Sequence, residues 1–77
     1  MRAMILLKTN PGFQKDAYAL LKRISVKDVK VNAVMHLFGR FDGVVMCEST
    51  GLKSLGNFAE ALRRRGVFHT ETLIAID

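Results

Sequence analysis

The stretch Gly39-Arg40-Phe41-Asp42-Gly43-Val44-Val45-Met46-Cys47-Glu48 decides the fold. It opens as a turn at Gly39–Asp42 and runs into a strand, roughly Phe41 to Glu48, that does not alternate. Successive side chains of a strand point to opposite faces. Val45 and Cys47 therefore look one way and Val44 and Met46 the other, and all four are apolar. A sheet with one face in water keeps polar residues on that face. This strand is written to be covered on both sides.

The same pattern returns on either side of it. Ala3 to Thr9 reads as a strand with Ala3, Ile5 and Leu7 opposing Met4 and Leu6, and Phe68 to Ile76 as one with Ile74 and Ile76 opposing Leu73 and Ala75. Val29 to Phe38 is Val-rich and reads as the strand leading into the central turn. Two helices fill the gaps. The first starts with Asn10 as N-cap and Pro11 at the first helical position, where its missing N–H costs nothing; Phe13, Ala17, Leu20, Leu21 and Ile24 form its apolar face. Ser49 or Thr50 caps the second, whose stripe is Leu52, Leu55, Phe58, Ala59 and Leu62, with Glu60 and Arg64 as an i, i+4 pair and Gly66 as its stop. Arg63-Arg64-Arg65 falls at its end, where cations complement the helix dipole; an anion or nucleic-acid contact is the alternative reading.

The order βαββαβ points to an α+β fold, a ferredoxin-like sandwich with two helices on one face of a four-stranded antiparallel sheet. Right-handed crossovers give the strand order 4-1-3-2. The helices cover one face, so the other is expected to pack against a second copy, giving a dimeric α+β barrel. A longer protein's missing segment is the other way to cover it. Size agrees: 77 residues are one domain, 49% of them hydrophobic, with a mean hydropathy of +0.16. A chain this short buries only about 60% of the surface it exposes unfolded.

Composition removes several classes. One Cys excludes an intrachain disulfide framework. No apolar run approaches the ~20 residues that cross a bilayer, and Met1-Arg2-Ala3-Met4 leads straight into a strand rather than a signal-peptide cleavage region. A soluble cytoplasmic protein without membrane association is expected. The net charge of +5 permits contact with acidic partners without establishing it.

Few residues are placed for chemistry. Cys47 lies in an apolar strand with nothing nearby to lower its pKa, and reads as a core residue. His36 and His69 fall on opposite edge strands, about 14 Å apart at three strand spacings, too far to share a metal. There is no Ser-His-Asp order, Gly-rich phosphate loop or CxxC, so neither metal nor cofactor is expected. The base-stacking aromatics of an RNA-recognition module are missing from Val44-Val45-Met46. What remains is one end of the sheet, where Gly39-Arg40-Phe41-Asp42 and Thr70-Glu71-Thr72 flank Thr9-Asn10. A carboxylate, an Arg and several hydroxyls there could hold the ammonium and carboxylate of an amino acid. Ordinary hairpin chemistry accounts for the same residues: Gly for the turn, Asp for backbone donors, Thr for strand propensity.

At these residues the chain resembles a known family. Gly39-Arg40-Phe41-Asp42 before an aliphatic strand, Gly66-Val67 and the closing Thr70-Glu71-Thr72-Leu73-Ile74, with Lys8 and Pro11-Gly12 near the start, are similar to the RAM domain, the effector-binding domain of Lrp/AsnC transcription regulators. The resemblance spans residues 1–77 as one domain. It implies a ligand-contacting loop of Gly39, Arg40 and Asp42, joined by Thr70 and Thr72 from a neighbouring strand or subunit. It also implies sheet-to-sheet dimers assembling into octameric or decameric rings, with amino acids bound between dimers. The regulators' helix-turn-helix has no counterpart here, so a stand-alone RAM protein without direct DNA binding is expected. Phe38 stands where the family often has a small or polar residue, and Arg40 where it often has an acidic one.

The function expected is thus a non-catalytic, amino-acid-binding regulatory module that homo-oligomerises and modulates full-length Lrp/AsnC regulators. Two alternatives stand beside it: a small oxygenase- or isomerase-type enzyme resting on His36 and Asp42, and a purely structural assembly module.

Overall fold

The computed structural model describes residues 1–9, 23–65 and 67–76. Four strands, β1 (Arg2–Thr9), β2 (Val29–His36), β3 (Gly43–Ser49) and β4 (Val67–Ile74), and one helix, α1 (Leu52–Arg64), follow in the order β1-β2-β3-α1-β4. The sheet is antiparallel with spatial order β2-β3-β1-β4, the order that right-handed crossovers require. The helix expected from Asn10, with Phe13, Ala17, Leu20 and Leu21 on its face, and the stop at Gly66 lie outside the described residues.

The expectation of a dimeric α+β barrel is corrected. The sheet is open, with β2 and β4 at its two edges. Closure would require β2 to pair with β4, and two intervening strands hold them about 14 Å apart. A barrel small enough to be filled by its own side chains already takes about eight strands. The described architecture is a four-stranded open sheet with one helix on it.

Strand register sorts the side chains. Directly opposed residues of an antiparallel pair share a face. On the covered face Val31, Cys47, Ala3 and Ile74 form one row and Val34, Val45, Ile5 and Thr72 the next. α1 lays Leu55, Phe58, Ala59 and Leu62 over this face. With Leu7 and Val67 these residues make the core, and Ile24, Val26, Val29, Val31 and Val34 pack on its margin. Leu52, the first residue of the expected stripe, stays 63% exposed.

A register shift between Val31 and Ala33 explains why β2 resists a period-2 reading. Asn32 is the extra residue of a bulge. The bulge returns Val34 to the face that carries Val29 and Val31 despite the odd spacing. Helix α1 also starts differently from expectation: its N-cap is Gly51, in extended backbone and without a side-chain cap. Ser49 instead ties the preceding turn, its Oγ donating to Gly51 O at 2.7 Å and accepting from Gly51 N–H at 3.3 Å. At the other end Glu60 holds Arg63 at 2.9 Å, closer than Arg64 at 3.6 Å. The nearby guanidinium holds the Glu60 carboxyl below its ordinary value.

Candidate functional site

The five residues expected at a ligand site do not all meet. Asp42 is built into the end of the β2–β3 hairpin. Its N–H donates to Leu7 O at 2.8 Å and its carbonyl accepts from Leu37 N–H at 2.8 Å. Its carboxylate Oδ2 accepts from Thr9 N–H at 2.7 Å and from Thr9 Oγ1 at 3.3 Å. The side chain thus pins the last residue of β1 to the turn before β3. Gly39 adopts φ +135°, a region that side chains with a Cβ rarely enter. The exposed Arg40 guanidinium sits 5.9 Å from the centroid of the Phe41 ring, at the outer limit of a cation–π contact.

Thr70 and Thr72 lie across β1 from this turn. Gly43 and Thr70 both oppose Leu7, one from each side, and Thr72 opposes Ile5. Two strand spacings, about 10 Å, therefore separate the hairpin from β4. Both threonines belong to the covered face, and Thr70 Oγ1 accepts from Arg63 at 3.0 Å. Within one subunit the fold brings Asp42 to Thr9, and Thr70 to Arg63. The Arg63 contact was not foreseen; a helix-terminal Arg reaching across to the following strand leaves no sequence signal beyond its position.

The second candidate surface is the open face. One row across it reads Met35, Val44, Leu6, Glu71 and the next Ala33, Met46, Met4, Leu73. Lys30, Glu48 and Arg2 form a charged row beyond them. No described helix packs here. Met4, Met46, Met35 and Leu73 are 37–47% exposed, whereas Val44, flanked by Met35 and Leu6, is 3% exposed. A cleft of about 240 Å³ lined by Met4, Met46, Leu73 and Ile74, among others, opens at one end. The two-sided apolar pattern of β1 and β3 is therefore real, and its outer half is uncovered among the described residues.

Other chemistry finds little support. His36 opposes Gly43 on the covered face, whereas His69 opposes Lys8 on the open one, so the histidines are divided by face as well as by distance. No group of three or more His, Cys, Asp or Glu that could hold a metal ion occurs among the described residues. Cys47 is buried, and burial pushes its thiol up, away from the reactive thiolate. No described helix is long and apolar enough to cross a membrane.

No protein-family model matches the chain, and no curated protein does. Solved structures do. FFRP-DM1 superposes with a TM-score of 0.80 at 27% identity, over 97% of this chain and 97% of that one. The hypothetical protein PHS023 from Pyrococcus horikoshii gives 0.77 at 27% identity, over 99% and 89%. An AsnC family transcriptional regulator from Agrobacterium tumefaciens gives 0.78 at 9% identity, and this chain spans 50% of its length. The chain has the fold of a Lrp/AsnC-like effector domain. In it the hairpin at Asp42 and the uncovered sheet face are the two surfaces to explain.

Proposed function

We propose that this Lrp/AsnC-like domain is a regulatory module that self-associates through its open sheet face and binds amino acids or related small molecules beside the Gly39–Asp42 turn. The observation that carries the reading is the pair of rows Met35-Val44-Leu6 and Ala33-Met46-Met4-Leu73, which no described helix covers. Burying that apolar area gains about 25 cal/mol per Å² before association costs. A two-fold partner offers the same rows and completes both copies at once.

Gly39, Arg40 and Asp42 supply the ligand-facing loop. Thr70 and Thr72 belong to the same site through a neighbouring subunit, because about 10 Å of sheet separates them from Asp42 within one. Higher assembly into octameric or decameric rings, and association with a full-length Lrp/AsnC regulator, extend the reading. Ligand would act by favouring one assembly state, since only differential affinity moves such an equilibrium.

Sedimentation at micromolar protein together with thermal melting across the standard amino acids tests the proposal. A ligand at about ten times its Kd adds about 1.4 kcal/mol, which moves the melting temperature of a domain this size by roughly 6–11 °C. A well-folded monomer that no amino acid stabilises would overturn it. A purely structural assembly module is the second reading. It is favoured by the internal engagement of Asp42 with Thr9 and of Thr70 with Arg63, and it predicts an oligomer indifferent to every amino acid.

A further inference from the structure

The arginines around the end of α1 are not all spent inside the molecule. Arg63 donates to Glu60 at 2.9 Å and to Thr70 at 3.0 Å, and Arg64 reaches Glu60 at 3.6 Å. Those two lie in the last turn, where they offset the negative end of the helix dipole. Arg65, the C-cap, and Arg23, which precedes the approach to β2, have side chains that no described residue hydrogen-bonds or ion-pairs.

The fold brings these two together. Arg23, Ile24, Ser25, Val26, Ala61 and Arg65 line one cleft of about 440 Å³, within the ~300–1,000 Å³ of small-molecule sites. No carboxylate is among the described residues lining it. Two guanidiniums sharing a cleft repel each other, and an anion between them removes that cost. Guanidinium forks match phosphate oxygens two at a time, and the Ser25 hydroxyl adds a further donor. Ile24 and Val26 pack on the core margin and offer an apolar wall for the rest of a ligand.

We propose that this cleft binds the phosphate of a phosphate ester, held between Arg23 and Arg65. The site stands apart from the Gly39–Asp42 turn and does not depend on amino-acid binding there. Two sources share the chemistry, a free nucleotide and the backbone of a nucleic acid, and they differ in salt dependence. A strand that loses several counterions gives a slope of about −0.7 per phosphate in log affinity against log salt, whereas a single phosphate group gives a shallow one.

Calorimetric titration of the full chain with inorganic phosphate, AMP and a short single-stranded oligodeoxynucleotide, each at several salt concentrations, is the test. Arg23→Gln and Arg65→Gln should each weaken binding at least about tenfold, the loss carried by one charge-assisted hydrogen bond. Lys53→Gln, an equal charge change at the opposite end of α1, should not. Arg65→Lys should recover part of the loss, since it restores the charge without the fork. Tight AMP with a shallow slope identifies a free nucleotide, and a tight oligonucleotide with a steep slope identifies nucleic acid. Binding of none of the three probes, or binding that Lys53→Gln weakens as much as Arg65→Gln, overturns the proposal. Unchanged far-UV dichroism and melting of each variant show that the loss belongs to the cleft.

Discussion

The Asp42 carboxylate accepts the Thr9 N–H at 2.7 Å and so fastens the end of β1 to the turn that begins β3. The bond spans 33 residues of sequence and fixes the end of the sheet where a ligand is proposed to sit. Asp42→Ala leaves a part-buried backbone donor without its partner and should cost about 1–3 kcal/mol in urea unfolding. Thr9→Val removes only the longer hydroxyl bond at 3.3 Å and should cost about 0.5–1.5 kcal/mol at most. Equal losses in the two variants would mean that the backbone bond is not what Asp42 supplies.

Gly39 offers a separate handle on the same turn. A Cβ added there meets nothing within 4 Å, yet the backbone is at φ +135°. Gly39→Ala should therefore destabilise by roughly 1–3 kcal/mol through conformation alone, without a clash. An alanine variant as stable as the parent in chemical denaturation would show that the turn relaxes freely to another conformation.

These two residues also show what was legible in the sequence. The two-sided apolar pattern of β1 and β3 and the buried part of the α1 stripe follow from periods of 2 and 3.6, which burial imposes on sequence, and the strand order follows from the handedness of the crossovers. The start of α1 and the path of β2 did not follow. Ser49 bonds a turn instead of capping the helix, and the bulge at Asn32 shifts the period of β2 by one residue. That shift hid Met35, which joins the open face only through its register with Val44. The barrel was misjudged because twist and closure depend on how many strands pair, which no single strand encodes. At the candidate site, Asp42 and Thr9 were placed side by side correctly. The hydroxyl of Thr70 was not, since its partner Arg63 comes from a helix whose angle on the sheet is set by packing.

The core supplies the first of the remaining predictions. Phe58 is fully buried and belongs to the core cluster that joins α1 to the sheet. Phe58→Ala should cost about 3–5 kcal/mol, a large part of the roughly 4–12 kcal/mol available to a domain of this length. The expected result is a variant largely unfolded near 37 °C by circular dichroism. A cooperative transition close to that of the parent would mean that the core can collapse around the gap.

Met46 separates folding from assembly. It is 38% exposed in one subunit and sits between Ala33 and Met4 in the central row of the open face. Met46→Lys should leave the stability of a single subunit within about 1 kcal/mol while placing two like charges across a two-fold sheet interface. Sedimentation should then shift to the monomer with unchanged far-UV dichroism, and Met46→Leu should stay assembled. An oligomer that persists in the lysine variant would move the interface off this face.

Cys47 gives the pH dependence. It is 2% exposed, and loss of hydration on burial raises its thiol pKa above the ordinary alkaline value. In the unfolded chain the thiol ionises first, so above that ordinary value the unfolded state binds fewer protons than the native one. The sign of linkage follows: the contribution is fully present below the unfolded value and is lost as pH rises through the raised native value. Cys47→Ala abolishes this titration at the cost of a small cavity worth about 1 kcal/mol. Urea midpoints of parent and variant should therefore differ most near neutrality and converge as the solution is made alkaline, and a thiol reagent should react with the native parent only as fast as the protein opens. A constant gap at every pH, or immediate labelling of the folded protein, would place Cys47 in contact with water.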